Sequence, residues 1–315
     1  MQSDKPFIIA LVGPTAVGKT ELSIELAKRF NGEIISGDSM QVYKHMDIGT
    51  AKINREEMAD IPHHMIDILE PDETFSAYDF KNRAQNLIDE ITARGHMPII
   101  VGGTGLYIQS LIYNYAFEDE TISEAQQIKV DHTLDELDSL SNEALHDYLV
   151  SIDKDSADTI HPNNRKRVRR AIEYYLKTKK LLSSRKKNQQ YTENYDTLLI
   201  GIEMSRETLY QRINKRVDIM LERGLLNEVK QLVEDGFETC QSMQAIGYKE
   251  MLPVIKNEAS LAEATNKLKK HSRNYAKRQM TWFKNKLDVV WLDREIMSLS
   301  LMLDEVSVQI KKRRT

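Results

Sequence analysis

Residues 7–20 read FIIALVGPTAVGKT, an apolar run that passes directly into a glycine-rich loop. The apolar part, residues 7–12, is typical of a buried β-strand. The loop GPTAVGKT matches the pattern G-x-x-x-x-G-K-[ST] of nucleotide-binding phosphate loops, and a helical pattern starts at Thr20. The sequence therefore predicts a strand, a loop and a helix that together bind a phosphate or diphosphate group.

The residue types in this loop suit an anion. Glycines let backbone N–H groups converge on a phosphate at the start of the helix. Lys19 adds a positive charge, and the hydroxyl of Thr20 can join the ligands of Mg²⁺. We therefore expect the phosphate site to consist of Gly13, Pro14, Thr15, Ala16, Val17, Gly18, Lys19 and Thr20.

Strand and helix patterns alternate along the rest of the chain. Further β-prone runs occupy residues 33–36, 98–101, 198–202 and 289–292. Helical patterns occupy residues 20–30, 80–93, 209–221 and 225–233. This alternation predicts an α/β protein, with a P-loop parallel sheet core and helices on both faces of the sheet.

One long segment between the third and fourth of these strands lacks a strand pattern and is rich in helix-forming residues. We interpret residues 116–194 as a helical insertion domain, so that residues 1–115 and 195–315 form the α/β core. At 315 residues, two folding units agree with the usual domain size.

The composition excludes several classes of protein. A single cysteine, Cys240, cannot form an intrachain disulfide, which fits a reducing compartment. No apolar run approaches the roughly 20 residues that span a bilayer, and the short run before the loop is no signal peptide. We therefore expect a cytoplasmic protein with no membrane association.

The net charge of −4 conceals a strong segregation of charge. Residues 116–160 carry thirteen acids and two lysines, whereas residues 161–187 carry eleven bases and one acid. Residues 267–286 add eight bases and no acid. Such basic stretches are expected on a protein that binds a polyanion, although solvated helix faces can also show them.

The predicted strand at 98–101 is followed by GGTG, without the acid that binds Mg²⁺ in hydrolytic P-loop enzymes. The second strand instead runs into ISGDSMQ, residues 35–41, which supplies Asp38. Because carboxyl ends of parallel strands face the ligand crevice, Asp38 is expected near the phosphate loop. Two roles remain open for Asp38, a functional carboxylate and the cap of a turn.

Eight segments occur in one order along the chain, and together they are more specific than the phosphate loop. They are GPTAVGKT (13–20), ISGDSMQVYK (35–44), GTAK…PHHMIDI (49–68), VGGTGLY (101–107), HPNNRKRVRRA (161–171), RVDIMLERGLLNEV (216–229), QAIGYKE (244–250) and RNYAKRQMTWF (273–283). From about residue 6 to residue 292, the sequence resembles the bacterial tRNA dimethylallyltransferase (tRNA isopentenyltransferase) family.

The resemblance implies a reaction and its catalytic residues. A dimethylallyl group moves from dimethylallyl diphosphate to N6 of the adenosine that lies 3′-adjacent to the anticodon of tRNA. Asp38 matches the general base, and Lys19, Thr20 and Arg216 match groups that act on the diphosphate together with Mg²⁺. A diphosphate leaving group also explains a phosphate loop without a hydrolytic acid.

The resemblance also implies which residues bind tRNA. Asp38, Ser39, Met40 and Gln41 match the segment at the flipped adenine, and Thr104 matches a channel residue. The insertion domain would contact the anticodon stem-loop through Lys166, Arg167 and Arg170. The family usually has Gln-Arg-x-x-Arg there, so Lys166 departs from its pattern. Eukaryotic relatives often add a C-terminal zinc finger, for which Cys240 alone does not suffice, so we expect the bacterial form. We also expect a monomer.

Two other functions compete with this interpretation. A P-loop kinase of a small molecule or nucleotide would turn over ATP, and it leaves the two basic stretches unexplained. A regulatory nucleotide-binding module would need no chemistry, which Asp38 beside a complete phosphate loop argues against. Labelled dimethylallyl diphosphate and labelled ATP, each with and without tRNA, distinguish these functions.

Overall fold

The computed structural model describes residues 5–113, 123–187 and 192–314. The chain divides into two compact units, Met1–Tyr113 with Glu193–Thr315, and Asn114–Thr192. The boundary expected at residue 116 lies outside the described residues, as do the acids at 118–120. We call Met1–Tyr113 with Glu193–Thr315 the first unit and Asn114–Thr192 the second unit.

A six-stranded sheet forms the centre of the first unit. Its strands are β1 (Phe7–Val12), β2 (Gly32–Ser36), β3 (His63–His64), β4 (Met97–Gly102), β5 (Asp196–Glu203) and β6 (Val290–Asp293). They are ordered β3-β2-β4-β1-β5-β6, and every neighbouring pair is parallel. The predicted α/β class and parallel sheet are therefore confirmed, with β1 at the predicted residues.

Helices α1–α4 and α10–α14 belong to the first unit. They are α1 (Lys19–Phe30), α2 (Arg55–Met58), α3 (Ala77–Ala93), α4 (Gly105–Ile112), α10 (Arg206–Glu222), α11 (Leu225–Glu234), α12 (Tyr248–Ile255), α13 (Leu261–Lys286) and α14 (Leu299–Arg314). The second unit contains α5 (Glu124–Asp138), α6 (Asn142–Ile152), α7 (Lys154–Ala157), α8 (Arg165–Thr178) and α9 (Leu182–Lys187). No described helix is long and apolar enough to cross a bilayer.

Side chains of β1 alternate between two hydrophobic clusters, one on each face of the sheet. Ile9 and Leu11 pack with residues of α1, α10 and α14. Ile8, Ala10 and Val12 pack with residues of α3 and α4, and with Phe283 of α13. Helices cover both faces of the sheet, so every side chain of β1 is apolar and polar residues do not alternate with apolar ones. The continuous apolar run in the sequence indicated such a strand.

A third cluster packs α10–α13 against the segment that follows β2. Val42, Tyr43 and Met46 lie in it with Val229 and Tyr248. The cluster fixes an irregular segment, residues 37–54, that contains no helix or β-strand. This segment borders the site described below.

Strand β3 was not predicted, because two residues are too short to show a strand pattern. It pairs with β2 at the edge of the sheet. His64 Nε2 lies 2.7 Å from Glu33 Oε2, and His63 Nδ1 lies 2.8 Å from the carbonyl oxygen of Ile61. These contacts make both histidines part of the structure of the sheet edge.

The second unit has a hydrophobic cluster of its own. Val130 and Leu134 of α5, Leu149 of α6, and Val168 and Ile172 of α8 are among its buried residues. Its described residues 123–187 consist of helices joined by turns and contain no β-strand, as the composition of this segment indicated.

Candidate active site

A cavity of about 510 Å³ lies at the carboxyl ends of β1, β2 and β4. Its lining includes residues 15–20 of the phosphate loop, residues 38–41 and 49–51 of the irregular segment, and residues 101–103 after β4. Helices α10 and α13 complete the wall with Arg212, Arg216, Tyr275, Arg278 and Gln279. All these residues belong to the first unit.

The phosphate loop joins β1 to α1, as its sequence pattern predicts. Gly13 has a φ of 147°, and a Cβ there would lie 2.8 Å from the carbonyl oxygen of Ile202, so the position requires glycine. Helix α1 begins at Lys19, one residue earlier than expected. The loop therefore lies at a helix N-terminus, where unpaired N–H groups and the helix dipole favour an anion.

Lys19 is half-buried, and its ammonium group donates hydrogen bonds to the carbonyl oxygens of Gly13, at 2.9 Å, and Pro14, at 2.8 Å. Burial and the positive charge of Arg216 lower the pKa of Lys19 to about 8, against the opposing charge of Asp38. Burial likewise lowers the pKa of Arg216. Lys19 and Arg216 thus place two mutually repelling cations at this end of the cavity.

Asp38 lies in the cavity wall and also caps a turn. Its Oδ1 accepts a hydrogen bond of 2.8 Å from the backbone N–H of Met40, which caps a turn. No hydrogen bond to Oδ2 occurs among the described residues, so this oxygen is available at the cavity wall. One carboxylate can therefore cap the turn and accept a proton.

The charge of Asp38 acts on several groups around the cavity. Besides Lys19 and Arg216, it influences the buried phenol of Tyr107 and the half-buried phenol of Tyr275. Burial, assisted by Asp38, raises the pKa of Tyr275 to about 12 and also raises the pKa of Tyr107. Both phenols therefore remain neutral at pH 7, so neither adds a charge beside Asp38.

The structure brings most of the predicted site residues of the core together. The phosphate loop from Thr15 onward, residues 38–41 and Arg216 line one cavity. Gly13 and Pro14 meet it through their contacts with Lys19. Thr104 precedes α4, directly after the lining residues 102 and 103, and is not itself part of the lining.

Helix α13 contributes site residues that the sequence interpretation did not select. Gln279 is buried, accepts a 3.0 Å hydrogen bond from the N–H of Thr15, and donates one of 3.0 Å to the carbonyl oxygen of Gly103. It thereby connects the loops after β1 and β4. The segment RNYAKRQMTWF carried a signal, but its role depends on contacts across 264 positions of sequence.

The pair Trp282–Phe283 in the same helix is core. Phe283 is fully buried in the cluster beside α3 and α4, and Trp282 packs against that cluster. Both side chains therefore serve the packing of the first unit.

The predicted bases Lys166, Arg167 and Arg170 lie on α8 in the second unit, and all three are exposed. No ion pair of Lys166 or Arg167 is found in the described part of the chain, while Arg170 Nη1 lies 3.5 Å from Glu173. Arg165 and Arg169 instead bind the acidic helix α5, through the backbone and carboxylate of Asp138. The basic stretch therefore contains structural bases and exposed ones.

The fold and the cavity together define a P-loop α/β protein, with a parallel sheet and a cavity lined by the phosphate loop. A family model described as IPP transferase matches residues 41–286. Over all 315 residues, the chain is 80% identical to the tRNA dimethylallyltransferase of Staphylococcus saprophyticus, covering 100% of both chains. The chain therefore belongs to the IPP transferase family of tRNA dimethylallyltransferases.

Two solved structures agree with this assignment. A tRNA delta(2)-isopentenylpyrophosphate transferase from Staphylococcus epidermidis is 71% identical with a TM-score of 0.74, over 98% of this chain and 100% of that one. A eukaryotic dimethylallyltransferase acting on tRNA is 35% identical with a TM-score of 0.80, over 97% of this chain and 77% of that one. The resemblance seen in the sequence is confirmed, and the chain is a prenyltransferase enzyme.

Proposed function

We propose that this enzyme transfers the dimethylallyl group of dimethylallyl diphosphate to N6 of the adenosine 3′-adjacent to the anticodon in tRNA. The observation that carries the proposal is the position of Asp38. Its carboxylate lines the same cavity as the phosphate loop and lies close enough to influence the pKa values of Lys19 and Arg216. A base and a pair of cations within one cavity suit a reaction with an amine acceptor and an anionic leaving group.

The diphosphate would bind at the phosphate loop, where Lys19 and Arg216 stabilise its charge. An anion between these cations offsets their repulsion, and it raises the pKa of Lys19 toward its ordinary value. Lys19 would exchange its contacts with the Gly13 and Pro14 carbonyl oxygens for contacts with phosphate oxygens. The two cations then act most strongly as the leaving group gains charge.

In the chemical step, the N6 amino group attacks C1 of the dimethylallyl group. The new N–C bond forms while the C1–O bond breaks, and both electrons of that bond leave with the diphosphate. The proton lost from N6 passes to the carboxylate of Asp38, because the amino group of adenine is a weak nucleophile. Oδ2 suits this role, since Oδ1 is engaged by the Met40 N–H group.

The residues present fit Mg²⁺ at the phosphate loop. The hydroxyl of Thr20, at the start of α1, makes no hydrogen bond among the described residues, and Thr20 lines the cavity. Mg²⁺ commonly takes one or two protein oxygens, substrate phosphate oxygens and several waters. When bound, it would neutralise part of the charge of the leaving diphosphate.

The acceptor would be held from two parts of the chain. Ser39, Met40 and Gln41 line the cavity beside Asp38, where the flipped adenine would lie. The exposed bases Lys166, Arg167 and Arg170 of the second unit would contact phosphates of the anticodon stem-loop. A lysine at 166 offers a charge where relatives usually offer an amide. We place the monomeric enzyme in the cytoplasm, with its tRNA substrate.

The test is transfer of label from dimethylallyl diphosphate to a tRNA transcript. We expect label on the adenosine 3′-adjacent to the anticodon, and none when this adenosine is replaced by guanosine. Addition of a chelator should abolish transfer, and added Mg²⁺ should restore it. Turnover of labelled ATP without prenyl transfer would instead identify a kinase.

A further inference from the structure

Glu228 lies outside the cavity, yet it binds the segment that forms part of the cavity wall. The irregular segment 37–54 lines the cavity twice, through residues 38–41 and again through residues 49–51. Because this segment contains no helix or β-strand, its shape depends on contacts with other elements. Glu228, in the first turn of α11, supplies several of these contacts.

The carboxylate of Glu228 accepts four hydrogen bonds. Oε2 accepts from the N–H groups of Asp47, at 2.9 Å, and Ile48, at 2.7 Å. Oε1 accepts from the N–H group of Gly49, at 3.0 Å, and from the hydroxyl of Tyr248, at 2.7 Å. Three consecutive backbone N–H groups therefore converge on one carboxylate. These hydrogen bonds are strong because the acceptor carries a negative charge.

Tyr248 closes this contact from the other side. It is fully buried, and a Cβ at Gly49 would lie 2.4 Å from its ring, so residue 49 must be glycine for the two to approach. Burial and the negative charge of Glu228 raise the pKa of Tyr248, so its hydroxyl remains protonated and donates. Glu228 and Tyr248 together allow residues 47–49 little freedom.

The backbone on both sides of these residues is strained. His45 has a φ of 64° and Ala51 has a φ of 46°. These values lie in the left-handed region, which is unfavourable for residues other than glycine. Such conformations persist only where the surrounding structure enforces them. The bonds to Glu228 lie between the two strained positions and can enforce both.

Residues 47–51 are linked to Gln41, which lines the cavity beside Asp38. The carbonyl oxygen of Thr50 accepts a hydrogen bond of 3.4 Å from Gln41 Nε2, and Thr50 itself lines the cavity. A shift of residues 47–49 would therefore move the partner of Gln41. The phosphate loop makes no such contact with Glu228 among the described residues.

We propose that Glu228 is a positioning residue for the acceptor adenine, which it influences through residues 47–51 and Gln41. The inference rests on the proposed function, since that function places the adenine beside residues 38–41. Glu228 sets the rate of transfer and leaves diphosphate binding unaffected.

The test uses Glu228→Gln in the full-length enzyme. A glutamine keeps the volume, but its NH₂ group faces N–H donors and cannot accept from them. We expect exchange of the amide hydrogens of residues 47–49, measured by mass spectrometry, to become about tenfold faster. Displacement of the acceptor should lower kcat about 10- to 100-fold, with the Kd of dimethylallyl diphosphate within about twofold of wild type.

Glu234→Gln is the matched control, because Glu234 lies on the same helix and its carboxylate forms an exposed ion pair with Lys230 at 3.7 Å, with no hydrogen bond to the described residues 47–49. It should leave exchange and kcat unchanged. Tyr248→Phe keeps the carboxylate and removes one of its four donors, so it should show a smaller effect of the same kind.

Three results would overturn the proposal. The first is unchanged amide exchange at residues 47–49 in Glu228→Gln, and the second is faster exchange with wild-type kcat. The third is an equal loss of kcat and of diphosphate affinity with a lower melting temperature, because this combination indicates general destabilisation. Absence of prenyl transfer by the wild-type enzyme would instead refute the proposed function, and exchange would still decide whether Glu228 holds the segment.

Discussion

One carboxylate oxygen of Asp38 accepts a hydrogen bond from the Met40 N–H group, and the other is the candidate base. Two substitutions of Asp38 can therefore distinguish the turn contact from the proton transfer. Asp38→Asn keeps an oxygen that can accept from the Met40 N–H group, so the turn survives, but the neutral amide cannot take a proton. We expect kcat to fall roughly 10²- to 10⁴-fold, the usual effect of a positioned general base, with tRNA affinity within a few-fold. Single-turnover transfer and filter binding measure these quantities.

Asp38→Ala is the companion variant, since it removes the turn contact as well as the base. It should be at least as slow as Asp38→Asn and also melt at a lower temperature. Wild-type turnover by Asp38→Asn would leave Asp38 with the capping role alone.

We expect binding of the diphosphate at Lys19 to depend on pH. Its pKa is lowered to about 8, so the free enzyme carries the ammonium charge below this pH and loses it above. An anion prefers the charged form, and kcat/KM for dimethylallyl diphosphate should therefore decrease as the pH rises through about 8. Lys19→Arg remains charged and should lack this decrease. The same decrease in both proteins would show that another group titrates.

At the scale of elements, the bases of α8 fall into two groups, those that bind α5 and those on an exposed face. Arg165 and Arg169 bind Asp138, whereas Arg167 and Arg170 lie three positions apart on an exposed face. The double variant Arg167→Ala/Arg170→Ala should weaken tRNA binding and reduce its salt dependence by about one to two phosphate contacts. The Kd of dimethylallyl diphosphate should not change. Binding titrations at several salt concentrations provide the measurement.

The matched control is Lys129→Ala/Lys154→Ala, which removes two positive charges from other exposed positions of the second unit. It should bind tRNA like wild type. If both double variants lose affinity equally, the net charge of the unit acts rather than α8. If neither does, α8 is a solvated face, and the basic helix α13 becomes the candidate.

At the scale of the molecule, the chain leaves the first unit after Tyr113 and returns to it at Glu193, and these two points are adjacent. Tyr113 forms a β-bridge with Glu193, and the N–H of Asn194 donates a 2.8 Å hydrogen bond to the carbonyl oxygen of Ile112. Replacing residues 114–192 with a short glycine-serine linker should leave a first unit that folds cooperatively. It should bind dimethylallyl diphosphate within about threefold of wild type, because the phosphate loop is intact.

The excised protein should lose at least about tenfold in tRNA affinity, since the exposed bases of α8 are gone. Calorimetry with dimethylallyl diphosphate and filter binding with tRNA report the two affinities. Full tRNA affinity would assign recognition to the first unit, and a protein that does not melt cooperatively would show that the core depends on the second unit.

Much of the fold was predictable because its signals are local. A strand buried on both faces is a continuous apolar run, and a phosphate loop constrains consecutive residues, so β1, the loop and α1 could be located within a residue. Strand β3 has two residues and lies on the sheet edge, so no pattern reveals it. The phosphate loop and Asp38 were likewise found from local motifs at strand ends.

Patterns within contiguous residues were enough to identify the fold class, the phosphate loop and the candidate base, and eight such segments in one order were enough to identify the family. Only the tertiary structure revealed that Gln279 connects the phosphate loop to Gly103, and that Glu228 holds residues 47–49. These hydrogen bonds join residues between 176 and 264 positions apart. Their energies depend on distances of about 3 Å that folding alone creates, and no periodicity in the chain encodes them.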